Sequence, residues 1–202
     1  MTHIRPYQPT DLERLYHICL LTGDNGADAT HLYRDPKLPG EMYAAPYAIY
    51  EPELCFVLVN DDDIAIGYVL GTKDTAEFGQ RCEREWFPPI RKKYPLPAES
   101  DQSAEANLIR QIHNGHDTEN WVPDHPAHLH IDILPEGQNG GWGLKLMQTL
   151  WAKLRERDVP GVFLGVSAQN ENAVGFYRHI GYKEFAAYPG GYTMALDLRS
   201  GI

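Results

Sequence analysis

The chain has 202 residues, of which 43% are hydrophobic, and its formal net charge is −10. This length fits one domain with a substantial buried core, so we predict a single domain over residues 1–202. The acidic balance argues against nucleic acid and anionic membranes as partners.

Cysteine usage and the lack of long apolar runs point to a reducing compartment. Cys19 and Cys55 lie in apolar stretches, where a free cysteine behaves as a small hydrophobic side chain. The total of three cysteines is odd, which argues against a disulfide framework. The N-terminal residues have no apolar signal core, and no run approaches the roughly 20 apolar residues of a membrane span. We therefore expect a cytoplasmic protein.

Two helices are predicted in the middle of the chain. Residues 75–94 can form a helix that is interrupted at Pro88 and Pro89, because proline lacks the N–H that a helix interior needs. Residues 103–113 carry apolar side chains at three- and four-residue spacing, which indicates one helical face.

Residues 127–134 alternate in the manner of a β-strand. His128, His130 and Asp132 fall on one face, and apolar side chains fall on the other. Three ionisable groups on one strand must face a cleft, solvent or each other, because burying them unpaired is costly. This face is therefore the first candidate for catalytic chemistry.

A glycine-rich turn follows this strand and precedes a helix-period run over residues 144–154. Such a turn presents backbone N–H groups at the positive end of the helix dipole, which favours a bound phosphate or pyrophosphate. The alternative is a glycine-rich loop that only caps a surface helix. The candidate phosphate-binding residues are Gln138, Asn139, Gly140, Gly141, Trp142 and Gly143.

The spacing of these glycines excludes two common phosphate-binding fingerprints. A dinucleotide turn needs G-x-G-x-x-G, but no third glycine follows Gly143. A nucleoside triphosphate loop needs G-x-x-x-x-G-K-[ST], and no such run is present. The pattern that remains is Q-x-x-G-x-G.

A strand and a helix follow this segment. Residues 162–167 form a short apolar run that is typical of a buried strand. Asn170 is a good N-cap, and Gly181 is a good helix terminator. Between them, one helical face is formed by Ala173, Phe176, Tyr177 and Ile180.

The Q-x-x-G-x-G turn, followed by N-x-x-A-x-x-F-Y-x-x-x-G-Y, resembles the GNAT superfamily of acyl-CoA-dependent N-acetyltransferases. The resemblance implies an α/β (α+β) fold with a central mixed, mostly antiparallel sheet, splayed at the cofactor site, and helices on both faces. It implies acetyl-CoA as cosubstrate and no metal. It also implies that Asn170 touches the pantetheine arm and that Tyr177 lies beside the cofactor sulfur.

The resemblance covers nearly the whole chain. Residues 4–7 and 11–21 look like the opening strand and helix, and residues 55–59 and 64–72 look like a hairpin. These segments are most similar to the acetyltransferase-like C-terminal domain of O-GlcNAcases and to stand-alone bacterial relatives of that domain. In the animal domains the pyrophosphate turn is not of the Q-x-x-G-x-G type. Its intact form here favours real cofactor binding.

Residues 74–126 depart from the simplest members, in which a tight turn joins the third and fourth strands. We predict a helical insertion here, and long segments inside compact domains are usually functional. The insertion could be a wall or lid over the acceptor cleft that carries Trp86, Phe87 and Tyr94. Alternatively, it packs on the sheet edge with these aromatic side chains as core.

Acetyl transfer to an amine requires a group that accepts a proton directly or through water. The resemblance favours Asp132, because O-GlcNAcase-like domains carry Val-Asp-Ile where this chain has Ile-Asp-Ile. A carboxylate there would act through water or orient the substrate ammonium. His130 has an ordinary pKa suited to base work near neutrality, and His128 is a weaker candidate. The alternative for all three is a polar network that braces the strand.

Tyr177 is the candidate acid for the departing thiolate. A phenol held near the sulfur could protonate it. The alternative is a core aromatic side chain whose hydroxyl finds a local partner.

Backbone groups and metal ions complete the predicted site. The resemblance implies that a bulge near Ile133 and Leu134 splays the strand, so that the pantetheine arm pairs with it and an N–H meets the thioester oxygen. No side-chain role follows for Trp142. Two histidines and a carboxylate on one strand face could ligate zinc, but the resemblance implies no metal.

Two functions remain open on the sequence. The first is an acetyl-CoA-dependent N-acetyltransferase that acts by direct attack of a primary amine, on a small molecule or a lysine side chain. The second is a catalytically weak or inactive acyl-CoA-binding or protein-interaction module. The expected partners are an amine acceptor and no nucleic acid or membrane, with a homodimer as an open alternative to a monomer.

Overall fold

A computed structural model describes residues 1–115 and 124–199. Seven strands form one sheet in the order β1-β2-β3-β4-β5-β7-β6, and all neighbouring pairs are antiparallel except β4 and β5. This confirms the predicted mixed, mostly antiparallel sheet. The strands are β1 His3–Pro6, β2 Cys55–Val59, β3 Ala65–Thr72, β4 Ala127–Ile133, β5 Gly161–Ser167, β6 Lys183–Tyr188 and β7 Gly191–Asp197.

Helices cover both faces of the sheet, as predicted. Each face of the sheet carries a hydrophobic core, and successive side chains of β2 point to opposite faces. Cys55 and Val57 lie in the first core, whereas Phe56 and Leu58 lie in the second. Helices α1 to α6 pack on the first core, and α7 and α8 pack on the second. The helices are α1 Leu12–Thr22, α2 Leu38–Tyr43, α3 Ala45–Tyr50, α4 Thr75–Arg81, α5 Phe87–Lys93, α6 Ala104–Asn114, α7 Trp142–Arg155 and α8 Glu171–His179.

The sheet opens between β4 and β5. These strands pair only at Ala127 with Val162 and at His128 with Phe163. Beyond these pairs, β4 stays bonded to β3, and β5 stays bonded to β7 along its full length. Each strand therefore keeps one complete ladder, and the gap lies between two intact half-sheets. The predicted splay is confirmed.

The predicted bulge on β4 is wrong. The register with β3 runs without a shift from His128 to Ile133, and the Leu134 N–H continues it by donating to the Ile66 carbonyl at 2.9 Å. A bulge would insert an unpaired residue and disrupt this ladder. The strands part here without one.

The helical insertion lies between β3 and β4, as predicted, although residues 116–123 of it lie outside the described residues. The helix predicted over residues 75–94 is interrupted before Pro88 and Pro89, so the predicted position of the interruption is wrong. A π-helical turn, Cys82–Trp86, comes first, and both prolines then lie in the first turn of α5. First-turn N–H groups have no partner inside the helix, so proline costs little there.

One cluster ties the two ends of the insertion to β4. Thr75 donates to the Pro126 carbonyl twice, from its N–H at 2.8 Å and from Oγ1 at 2.7 Å. Because that hydroxyl proton is committed, His128 Nδ1, 2.7 Å from Oγ1, is the donor in their contact. His128 Nε2 then accepts from the Tyr47 hydroxyl at 2.6 Å. We refer to Thr75, Pro126, His128 and Tyr47 as the insertion clamp.

Some elements were not predicted from the sequence. These are the short helices α2 and α3 and the last two strands, β6 and β7. In the described part of the chain, no helix has the length and apolar character needed to cross a membrane.

Candidate active site

A cavity of about 580 Å³ occupies the gap between β4 and β5. Residues 129–132 of β4 form one wall, and residues 164–167 of β5 form the other. Its remaining walls come from α1 and the following loop, α2, α6, α8 and the turn at residues 188–190. The splayed sheet thus creates a site to which most of the chain contributes.

Asp132 lies in this cavity and is half-buried. Its Oδ2 accepts a hydrogen bond from the Tyr68 hydroxyl at 2.5 Å. Burial raises the pKa of Asp132 above its ordinary value, while hydrogen bonds from Tyr68 and Thr22 oppose the rise. The carboxyl group therefore holds its proton more tightly than an exposed aspartate, which suits a group that must accept one.

The two histidines on this face have different surroundings. His128 is buried in the insertion clamp, with both ring nitrogens engaged. It is therefore a structural residue, as the polar-network alternative predicts. His130 lines the cavity, and its ring centroid lies 5.4 Å from that of Tyr43 and 5.3 Å from that of Tyr47.

Tyr177 reaches the cavity from α8. Its side chain is buried at 8% exposure, and within the described part of the chain its hydroxyl has no hydrogen-bond partner. Burial raises its pKa, and the charge of Asp132 adds to this. The hydroxyl therefore stays protonated near neutrality and is able to donate.

The edge of β4 that faces the gap is defined by the ladder with β3. Along β4, successive backbone N–H groups point alternately towards β3 and away from it. Because the Leu134 N–H donates to Ile66 of β3, the N–H groups of Ile131 and Ile133 point away from β3 and towards the gap. The role of Ile133 as a backbone donor to the cofactor stays a prediction, and the direction of its N–H is compatible with it. Leu134 is not placed for this role, because its N–H is bonded within the sheet and its carbonyl accepts from Gly137 at 2.8 Å.

The glycine turn has the geometry of an anion site. Gly141 is the N-cap of the 14-residue helix α7 in the left-handed region, with φ 71°, and no side chain caps this helix. A Cβ at Gly141 would meet nothing within 4 Å, so the space beside it is open. The first turn of α7 contains no acidic residue. The helix N–H groups and dipole are therefore presented to an open surface, which fits a pyrophosphate.

Other residues of the turn brace it. The Gln138 side chain donates to the Ile133 carbonyl at 2.8 Å, so it ties the turn to β4 instead of extending from it. The Trp142 ring lies against Gly140 and carries the Lys145 ammonium 4.0 Å from its centroid. These contacts favour packing at the start of α7, instead of covering the cofactor, as the role of the Trp142 side chain.

Comparison with known proteins identifies the family. Residues 26–182 match the acetyltransferase (GNAT) family. The chain belongs to this family. The match spans the hairpin, the splayed part of β4 and β5, the glycine turn and α8, whereas α1 and the turn at residues 188–190 lie outside it.

Individual relatives agree with the assignment. The crystal structure of SsHAT superposes with a TM-score of 0.90 at 36% identity, and the match covers 98% of each chain. Protein O-GlcNAcase from Rattus norvegicus and from Mus musculus is 28% identical over 93% of this chain. The chain spans about 20% of the length of these curated relatives. The resemblance to the O-GlcNAcase C-terminal region and to a stand-alone GNAT protein is confirmed.

A more distant structure shares the fold alone. The PaiA N-acetyltransferase from Thermoplasma acidophilum, in complex with coenzyme A, superposes with a TM-score of 0.57 at 14% identity. GNAT proteins use acetyl-CoA, and the residues around the gap and the turn are compatible with such a ligand. Among the described residues, no group of three His, Cys, Asp or Glu side chains is placed to hold a metal ion.

The aromatic residues that were candidates for a lid in this GNAT fold are core residues. Phe87 is fully buried, the Trp86 indole donates to the Glu41 carbonyl, and the Tyr94 hydroxyl donates to Asp35. The insertion nevertheless supplies part of the cavity wall, through Gln111 of α6. These three residues therefore agree with the alternative in which the aromatic side chains are core, while a wall role for α6 stays a prediction.

Several cavity residues of this GNAT site were missed by sequence reasoning. Asn170, which was predicted, caps α8 by accepting from the Ala173 N–H at 3.1 Å and lines the cavity. Cys19 and Gln111 lie on predicted helices, but helical periodicity does not show which residues reach the gap, and the other missed residues lie in short or irregular segments. Among the missed residues are Cys19, Thr22, Gly23, Asn25, Gly26, Tyr33, Tyr43, Gln111 and Tyr188.

Charge at the glycine turn is expected to decide acetyl-CoA affinity. Asparagine and aspartate both tolerate the left-handed conformation of Gly141 and both can cap a helix, so Gly141→Asn is a matched control for Gly141→Asp. We expect the aspartate variant to bind acetyl-CoA at least about tenfold more weakly than the asparagine variant, about 1.4 kcal/mol. Calorimetry measures both. Equal affinities would show that the phosphates lie elsewhere.

Proposed function

We propose that this chain transfers an acetyl group from acetyl-CoA to a primary amine, on a small molecule or a lysine side chain. The observation that carries the proposal is the cavity in the splayed sheet, where Asp132 on one wall and Tyr177 on another face a common space. A carboxylate and a phenol in one enclosed space are the acid–base pair that amide formation from a thioester needs.

Binding residues hold the two ends of the ligand. The turn at Asn139, Gly140 and Gly141 would receive the pyrophosphate by backbone N–H donation at the start of α7. The gap-facing N–H of Ile133 would donate to the thioester oxygen, where negative charge develops. When bound, acetyl-CoA supplies an already activated acetyl group, so no enzyme nucleophile is required.

Proton transfers are assigned to two side chains. Asp132 Oδ1 or Oδ2 accepts the amine proton, directly or through a water molecule, while its bond from Tyr68 fixes the carboxylate plane. The Tyr177 hydroxyl gives its proton to the departing sulfur. The raised pKa of each group supports its role, because it strengthens Asp132 as an acceptor and keeps Tyr177 protonated.

The test is an assay of acetyl-CoA turnover against a panel of amines and lysine peptides, with acetyl-CoA binding measured separately by calorimetry. We expect binding, and turnover with at least one amine. Binding without turnover of any acceptor would favour an acyl-CoA-binding or protein-interaction module. Absence of binding would refute the proposed donor.

A further inference from the structure

The charges that line the cavity restrict the acceptor. Among the described residues that line it, Asp132 is the one carboxylate, and no lysine or arginine contributes to the lining. The sequence of residues 116–123 and 200–202, outside the described part, also contains neither lysine nor arginine. In the described lining, the polar groups that accompany Asp132 are hydroxyl, amide and thiol side chains, with His130 as the one imidazole.

Three tyrosines from separate segments form one side of this space. Tyr43 of α2 donates from its hydroxyl to Gln111 Oε1 of α6 at 2.6 Å. Tyr33 lies in the loop before α2. Tyr188 comes from the end of β6, and its hydroxyl lies beside Gly165 of β5. Burial raises the pKa of Tyr43, and the ionisable groups of the neighbouring Tyr33, Cys19 and Tyr188 raise it further. The wall is therefore aromatic and uncharged near neutrality.

An anionic group would be poorly accommodated between this wall and Asp132. A carboxylate or phosphate that enters this cavity loses part of its hydration and is best compensated by a paired cation, and the described lining residues include no lysine or arginine. Asp132 would repel it as well. An ammonium, in contrast, is attracted both by the carboxylate and by the faces of the tyrosine rings.

Building on the proposed function, we infer that the acceptor is an amine whose ammonium is the only charge near its reacting end. Arylalkylamines and lysine side chains within neutral peptide segments meet this requirement. Free amino acids and amines that carry a phosphate or carboxylate close to the nitrogen do not. The aromatic wall contacts the uncharged remainder of the acceptor, and Asp132 holds its nitrogen.

Matched acceptors that differ by one carboxylate provide the test. Tyramine is compared with tyrosine, and Nα-acetyl-lysine amide with the corresponding diaminopimelate derivative, which carries a carboxylate on the carbon that bears the reacting nitrogen, so the two pairs separate small amines from peptide-like lysine. We expect kcat/KM to be at least about tenfold higher for the carboxylate-free member of the preferred pair. Equal or higher kcat/KM for the carboxylate members would overturn the inference.

A charge introduced on the wall gives a second, independent readout. Gln111 is exposed to the cavity, and Gln111→Arg adds a cation there, whereas Gln111→Met removes the same hydrogen bond to Tyr43 without a charge. The arginine variant should lower the preference for the carboxylate-free acceptor several-fold, and the methionine variant should not. An unchanged preference in both variants would contradict the inference.

Failure of the proposed function can be distinguished from failure of this inference. If no acceptor is turned over, calorimetry with the acetyl-CoA-bound protein and the same matched pairs still measures the discrimination. Tighter binding of tyramine and of the lysine amide supports the charge rule without catalysis. Equal binding of the carboxylate forms refutes it.

Discussion

Replacing Tyr177 with phenylalanine is expected to lower kcat by about 10²–10⁴-fold, the range in which a general acid contributes. Only the hydroxyl is removed, so the affinity for acetyl-CoA should be nearly unchanged. The reason is that this hydroxyl faces the cavity and its pKa is raised by burial, so it is protonated when the sulfur departs. Steady-state kinetics give kcat, and calorimetry gives the affinity.

Tyr182 provides the matched control for this variant. It is a buried tyrosine whose ring centroid lies 5.7 Å from that of Tyr177, and its hydroxyl accepts from the Trp151 indole. It does not line the cavity. Tyr182→Phe should therefore cost about 1 kcal/mol of stability and leave kcat unchanged. Wild-type kcat in Tyr177→Phe would make Tyr177 a core aromatic residue.

The second large effect is expected at Asp132. Asp132→Asn preserves the shape of the side chain but removes its charge and its ability to accept the amine proton, so kcat/KM should fall by at least about tenfold. His130→Gln serves as the comparison on the same strand face and should have a smaller effect, mostly on the pH profile. The opposite ranking would make His130 the base. Full activity in both variants would move the base elsewhere.

Stability measurements separate a catalytic Asp132 from a structural one. Burial raises the pKa of Asp132 in the folded protein, so the folded state holds the proton more tightly than the unfolded state does. This proton binding stabilises the folded state fully at pH values below the pKa of Asp132 in the unfolded chain. The stabilisation is lost as the pH rises from that value to the higher pKa of Asp132 in the folded protein. Asparagine has no such dependence.

Asp132→Asn is therefore expected to be at least as stable as the wild type at neutral pH. The difference in Tm between variant and wild type should shrink as the pH falls below the unfolded pKa, where both side chains are neutral. Thermal unfolding across pH 3–8 tests this, and a marked loss of Tm at neutral pH would instead indicate that the bond from Tyr68 stabilises the fold.

Local patterns predicted the elements on which the site is built. Strand alternation placed His128, His130 and Asp132 on one face, and capping preferences placed the start of α8 at Asn170. These features depend on side chains near one another in sequence. The family resemblance added the splay, which no local pattern encodes.

Features that depend on packing between distant segments could not be predicted in this way. Whether Ile133 or Leu134 presents its N–H to the gap depends on the register of β4 against β3, and a shift of one residue would exchange them. The roles of His128 and His130 differ because Thr75 and Tyr47 hold the His128 ring through hydrogen bonds, whereas His130 lines the cavity. Tyr33 and Tyr43 lie in segments too short and irregular to show a period.

The insertion clamp has an evolutionary consequence. Because Thr75 and Pro126 meet directly, the segment between them begins and ends at one point of the sheet. Doubling the length of a loop costs only about 0.6 kcal/mol in chain entropy, so the loops of this segment can lengthen at little cost while its helices keep their contacts with the first core. This segment supplies Gln111 to the cavity. Acceptor preference could therefore diversify among relatives through changes in one segment, while the donor end of the molecule stays the same.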